Sequence, residues 1–522
     1  MIARVWAPAK GRFAAWWSGR DDEAKHFWTN VAIGVALTLA LQVSEAFGAF
    51  AALRQFGLDW QIAALAGTHT GPHVALIDID EPSELSFGDK GMPPPFFTPR
   101  DKLGRLIEAA VDAGAAAVVV DVDLSEPRGD PLAEAFREVS GRPARGEPAA
   151  TMERTLTSLV GRPESPAAPY FPPPPPSLDA VQRFFYGDWQ LSEFLGAYSR
   201  GCARKPWPPA PGSCVPVILP RLIGESTAVS KIALPSFLDK AIGPNSRSVF
   251  WGSVTFDHDS DFVVRRWRLW EPACAPSRGS EVLPASGLLA YAFGKPLAPG
   301  EAWNYQSELV GPLQAAFAPA QCRSVAPPAP RSIPNVRDVE LKQDDLARTL
   351  RYFISWNATD ATSSLERDFP AVKVLGGDKL DIDCSDPGGC VRGKRVVVIG
   401  STYRDNGDYH RVPGGEMPGA LVLLNEIDSL LSPNPVLGEA PRVLSVGLDL
   451  VLVFTLSWAF MRWHPTAVLV GALIVTLAGL IASSLASLES GVWFDLSVPC
   501  IGIQIHEWVT RAEHFRLLNR KK

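Results

Sequence analysis

Four aspartates close two short apolar runs, and their type and position are the most chemically suggestive feature of the sequence. Residues 73–80 read HVALIDID and residues 118–123 read VVVDVD, so Asp78, Asp80, Asp121 and Asp123 each follow a stretch with the composition of a buried parallel strand. In open α/β sheets, ligands bind at that carboxyl edge. Residues 394–400 (KRVVVIG) form a third such run, followed by Ser401, Thr402 and Asp408. Strands ending on one side would gather these acids. The Gly400-Ser401-Thr402 backbone would offer N–H groups to an anion, and Arg100 would pair with an acid or with a ligand carboxylate.

Three chemistries suit this set. Four carboxylates fit a hard cation such as Ca²⁺ or Mg²⁺. VVVDVD also resembles the nucleophile strand of haloacid-dehalogenase-type phosphatases. That class has Thr or Val two residues after the second Asp, where Ser125 and Glu126 are poor substitutes, and no convincing downstream Lys and acid pair is found. The third reading is structural: the acids cap helices, pair with Arg100 and Arg265, and close loops. No catalytic residue and no cofactor are therefore expected, and the acids, Arg100, Ser401 and Thr402 stand as ligand-binding candidates. His258 and His410 are single and lack a partner at ligand spacing. No nucleophile elbow, Walker loop or GxGxxG occurs.

These residues need elements to position them. Leu103, Leu106, Ile107 and Ala110 recur at helical spacing between Arg100 and Ala113, and Gly114 supplies a C-terminal stop. Strand, helix, strand then follow within residues 73–123 as a βαβ unit. Further strands are predicted at 217–219, 248–256, 262–270, 350–356 and 394–400, with a hairpin through Asp257–Asp261. Helices are predicted at 288–293 and 416–431. The pattern is that of an α/β domain with a mostly parallel, doubly wound sheet. Residues 127–215 interrupt it with Pro, Gly, Ser and Arg, including Pro172–Pro176, and read as a proline-rich insertion. A second proline-rich stretch covers roughly 318–335.

The 522 residues carry a net charge of -6, with 46% hydrophobic and 20% charged residues. A mean hydropathy of +0.05 implies apolar content concentrated in a few segments. A span takes about 20 apolar residues. Four are predicted, at 27–50, 443–461, 466–486 and 491–509. Asp449 lies within the second, a costly position in lipid. A basic N-terminus (1–26) and a basic tail (510–522) place both ends in the cytoplasm, and residues 52–440 outside it. The protein is thus expected to be a bacterial inner-membrane protein with a periplasmic domain. Cys202, Cys214, Cys274, Cys322, Cys384 and Cys390 all fall in the exported part, an even number that suits an oxidising compartment. Sequential bridges are one plausible pairing among several. Acidic charge without a basic stripe excludes nucleic acid as a partner.

Three separated segments together resemble the CHASE2 family, the extracellular sensory domain of bacterial signalling proteins. They are VALIDIDEPS at 74–83 with AGAAAVVVDVDLSEP at 113–127, VTFDHDSDFVVRRWRL at 254–269, and GKRVVVIGSTYRDNGDYHRVP at 393–413. The family's turn usually carries Asp-Gly before Val-Val-Arg, where this chain has Asp261-Phe262. A His-Ala pair often follows Pro-Gly, where this chain has Leu423-Leu424. Relatives place one span before the domain and three after it, then continue into a cyclase or kinase, whereas about a dozen residues follow the last predicted span here.

The resemblance implies a receptor. The exported domain would sense a small molecule, an ion or an envelope protein and relay its state through the spans to a separate cytoplasmic or membrane signalling protein. Contact of the tail with membrane lipid and a homodimer are further expectations. The alternative is an envelope scaffold that captures a partner through its proline-rich insertion without sensing.

Overall fold

The computed structural model describes residues 21–46, 74–79, 98–125, 180–201, 214–224, 231–243, 248–259, 261–275, 279–295, 304–317, 396–403, 407–432 and 442–463, with shorter stretches elsewhere between 55 and 493. In chain order the elements begin with α1 (Asp22–Ala46), β1 (Val74–Asp78), α2 (Arg100–Asp112), β2 (Ala117–Asp121), α3 (Ala180–Gly201), β3 (Val217–Arg221), β4 (Ile223–Gly224) and β5 (Ile232–Ala233). The middle of the chain supplies β6 (Val249–Ser253), β7 (Phe256–His258), β8 (Val264–Trp267), β9 (Trp270–Ala275), β10 (Gly279–Pro284), α4 (Ser286–Gly294), α5 (Gly311–Phe317) and β11 (Arg348–Thr349). Further along the chain come β12 (Lys373–Gly376), β13 (Val396–Gly400), β14 (Tyr409–Val412), β15 (Gly415–Pro418), α6 (Gly419–Leu431) and α7 (Arg442–Arg462), with two-residue strands at Gly438–Glu439 and Val492–Trp493. The chain divides into two units, Ala66–Val436 and Met1–Leu65 with Leu437–Lys522.

The larger unit is built on a six-stranded sheet in the order β12-β1-β13-β2-β3-β6, with every pairing parallel. Its central strands (VALID, AVVVD, VVVIG) are apolar almost throughout because helices cover both faces. On one face Ala75, Ile77, Val118, Val120, Val397 and Ile399 form a core with Leu103, Ile107 and Ala110 of α2 and Leu191, Phe194 and Leu195 of α3. Alternation along the strands turns Val74, Leu76, Asp78, Val119 and Asp121 to the other face, where α4 and α6 pack on the sheet. The α/β expectation holds.

The end of α2 shows how closely local sequence sets local structure. Gly114 is left-handed (φ +81°), its N–H bonds to the Val111 carbonyl, and the Ala115 N–H bonds to the Ala110 carbonyl. This pair of bonds is a Schellman ending, which glycine permits without steric cost.

Several expectations need correction. Strands β1 and β2 are not neighbours; β13 lies between them and pairs with both. The stretch expected as a proline-rich insertion contains α3, whose Leu191, Phe194 and Leu195 join the sheet core, because these apolar residues cover a face that would otherwise be open to water. The helix expected from Glu416 starts at Gly419, since residues 415–418 pair with β14. The 350–356 strand lies mostly outside the described residues, with a short strand at Arg348–Thr349.

In the other unit α1 packs on α7. A Cβ at Gly34 would fall 2.5 Å from Val453 Cγ1, so the missing side chain sets that approach. Among the described residues no helix is long and apolar enough to cross a membrane. The first two predicted spans coincide with α1 and α7, and the other two lie largely outside the described residues, as does the Asp449 side chain.

Candidate functional site

The register places Gly400 opposite Asp78 on one side and Asp121 on the other. The two acids therefore end strands one position apart across the sheet and turn to the same face. Their surroundings differ. Asp78 is fully buried, and its two carboxylate oxygens accept hydrogen bonds from Thr402 N–H (3.0 Å) and Thr402 Oγ1 (2.7 Å). Ser401 Oγ donates to the Ile79 carbonyl and accepts from Tyr403 N–H. The segment expected to hold an anion is thus occupied by the chain's own carboxylate and hydroxyl, and it ties β13 to β1.

Asp121 faces a different set. Its Oδ2 is buried and has no hydrogen-bond partner. A Cβ at Gly400 would lie 2.5 Å from Ala420 Cβ and 3.5 Å from Asp121 Oδ2, so glycine there lets α6 approach the sheet beside the carboxylate. Burial pushes the Asp121 carboxyl up to about 7; the nearby Asp408 adds to the rise and His410 opposes it. Glu426 of α6 is buried, with Oε1 unpartnered and set against Gly287 of α4, where a Cβ would fall 2.3 Å away. Burial holds its carboxyl well above the usual range, and Asp121 reinforces the effect. Asp428 on the same helix, also with an unpartnered buried oxygen, is pushed up to about 7 by burial.

Asp408 joins this group from the segment before β14. Its Oδ2 would meet a Cβ at Gly419 at 2.1 Å, so the carboxylate lies on the first residue of α6. Its Oδ1 lies 2.9 Å from His410 Nε2, and His410 Nδ1 is 3.5 Å from His258 Nε2. His258 and His410, read from sequence as lacking partners, are brought together because the β7–β8 hairpin lies beside β14, with a bridge between Val263 and Arg411.

Arg100 and Asp123 belong elsewhere. Arg100 donates to the Asp123 backbone carbonyl (2.6 Å) and lies 3.7 Å from Asp188 of α3, while its Nη1 is buried without a hydrogen-bond partner. Burial lowers the Arg100 pKa against the pull of Asp188 and Asp123, and it raises Asp188 to about 6 against the pull of Arg100. The Asp123 side chain accepts from Ser125 N–H and Oγ. Asp80 lies outside the described residues.

Of the four strand-end carboxylates, Asp78 and Asp123 thus accept hydrogen bonds from Thr402 and Ser125. Among the described residues no group of three or more His, Cys, Asp or Glu side chains is disposed to hold a metal ion. Arg265 is buried and pairs with Asp259 (2.9 Å) and Asp261 (2.7 Å), while Arg266 also bonds Asp259. The hydrogen bond from Arg265 holds the Asp261 carboxyl down to about 2. Cys214 and Cys274 each take part in a disulfide; Cys202, Cys322, Cys384 and Cys390 lie outside the described residues.

Sequence reasoning missed Asp188, Glu426 and Asp428. A signal existed for the last two. They are acids within GALVLLNEIDSLL, a helix buried along its whole length, and an acid on such a helix marks a site of unusual protonation.

A parallel sheet wound by helices on both faces, with ionisable groups gathered at its carboxyl edge, defines an α/β domain. The CHASE2 domain family matches residues 32–461, and the chain belongs to that family. CHASE2 is a sensory domain family. Neither the curated proteins nor the solved structures give a match.

Proposed function

We propose that the protein is a membrane-anchored receptor whose α/β domain lies outside the cytoplasm, detects a signal there and relays it through its transmembrane helices to a partner protein. The family match over residues 32–461 carries this reading, since it runs through the sensory domain and into the helices on both sides. The exposed stripe Leu444, Leu448, Val451, Phe454 and Trp458 on α7 supports a lipid-facing helix, because so continuous an apolar row is costly in water. Disulfide bonding at Cys214 and Cys274 agrees with an oxidising compartment, and sequential pairing of the six exported cysteines belongs to the same proposal. The Asp121, Asp408, His410 and Glu426 group is the receptor's responsive site: its buried carboxyls lack partners that would fix their charge.

A reporter pair fused near residue 300 of the full chain tests the topology. A periplasm-dependent enzyme should be active there and a cytosol-dependent one silent. The opposite result overturns the proposal.

A further inference from the structure

The two histidines and Asp408 have a geometry beyond what a proton-responsive acid cluster requires. The contact from His410 Nε2 to Asp408 Oδ1, at 2.9 Å, suits the tautomer that carries its proton on Nε2 and a lone pair on Nδ1. That Nδ1 faces His258 Nε2 at 3.5 Å. The separation is long for a nitrogen–nitrogen hydrogen bond, which falls at about 2.7–3.2 Å. It matches the edge of a tetrahedron, because two imidazole nitrogens each about 2.1 Å from one zinc ion sit about 3.4 Å apart. A carboxylate on the far nitrogen is what orients metal-bound histidines and raises their basicity. Phe256 holds the His410 ring edge-on at 5.0 Å between centroids, and the Asp408 carboxylate lies on the far nitrogen of that ring.

We infer that His258 Nε2 and His410 Nδ1 together bind one transition-metal ion of the Zn²⁺ class, with Asp408 orienting His410 and water completing the coordination. Paired imidazoles favour such an ion over Ca²⁺ or Mg²⁺, which take oxygen ligands. His258 ends β7 and His410 lies in β14, so the ion fastens the β7–β8 hairpin to the β14–β15 pair beside Asp121. This names a ligand class for the receptor and rests on that reading for its biological sense.

The test is a calorimetric titration of Zn²⁺ into the full-length purified chain after chelator treatment. One saturable site per chain is expected, with His258→Ala and His410→Ala each weakening it at least about tenfold. Asp408→Asn should weaken it by about tenfold or more, as loss of an orienting carboxylate does. Asp188→Asn, at Arg100, should leave it unchanged. Bound Co²⁺ should give visible absorption bands that vanish in His258→Ala, while an unchanged circular dichroism spectrum shows that the variant is folded. Absence of saturable binding, or binding that survives in the double histidine variant, overturns the site. These outcomes are independent of the topology reporter, so the metal site and the receptor reading fail separately.

Discussion

Asp78 and Asp121 flank the same glycine, end parallel strands and face the same pair of helices, but their carboxylates fare differently. Every oxygen of Asp78 that turns inward meets a donor from Thr402. Asp259 likewise sits between Arg265 and Arg266. Asp121 and Glu426 are buried near each other with oxygens that meet none. Burying a charge is tolerable when it is paired and hydrogen-bonded; otherwise the group takes up a proton. The first kind of acid fixes the fold, and the second leaves a protonation state for a signal to change.

Substitutions can break this contrast. The largest loss is expected for Asp259→Ala, which takes a buried carboxylate from both Arg265 and Arg266: about 3–5 kcal/mol by denaturant unfolding. Thr402→Val removes the hydroxyl donor to Asp78 and should cost about 2–3 kcal/mol, with m unchanged. Asp121→Asn should do the reverse, gaining on the order of 1 kcal/mol at pH 8, where the wild-type carboxylate is charged, buried and beside Asp408.

The pH dependence of unfolding sharpens the same point. Asp121 and Asp428 titrate at about 7 in the folded chain, against about 4 when unfolded. The folded state therefore holds more protons between these values. Their stabilising contribution is complete below about pH 4 and is lost as the pH rises through about 7. Midpoint temperatures should fall across that window, and Asp121→Asn should flatten the slope; an unaltered slope would refute the assignment.

The smallest effect concerns the hairpin that brings His258 to His410. Phe262 is left-handed (φ +63°) and 74% exposed. Relief of this strain in Phe262→Gly should stabilise the chain by about 1 kcal/mol, read as a higher thermal midpoint.

Much of the fold was legible because the relevant signals are local. VALID, AVVVD and VVVIG can only be strands buried on both faces, and the apolar spacing from Leu103 to Ala110 with Gly114 after it specifies a helix and its ending. Helix α3 was not read, since a long Pro-rich approach masks it and its role depends on the sheet face it covers. The site was legible in part. Asp78, Asp121 and Asp408 were picked out by strand-end position, but the same position gave no means of telling a satisfied acid from an unsatisfied one.

Element type, the parallel class of the sheet and the family followed from the sequence itself, because hydrophobic periodicity and turn chemistry act over a few residues. The insertion of β13 between β1 and β2, the closure of Asp78 by Thr402, the burial of Glu426 and the meeting of His258 with His410 were decided by tertiary structure. Each joins residues distant in the chain, and such contacts depend on the strand order and helix placement that the whole domain adopts to bury its apolar faces.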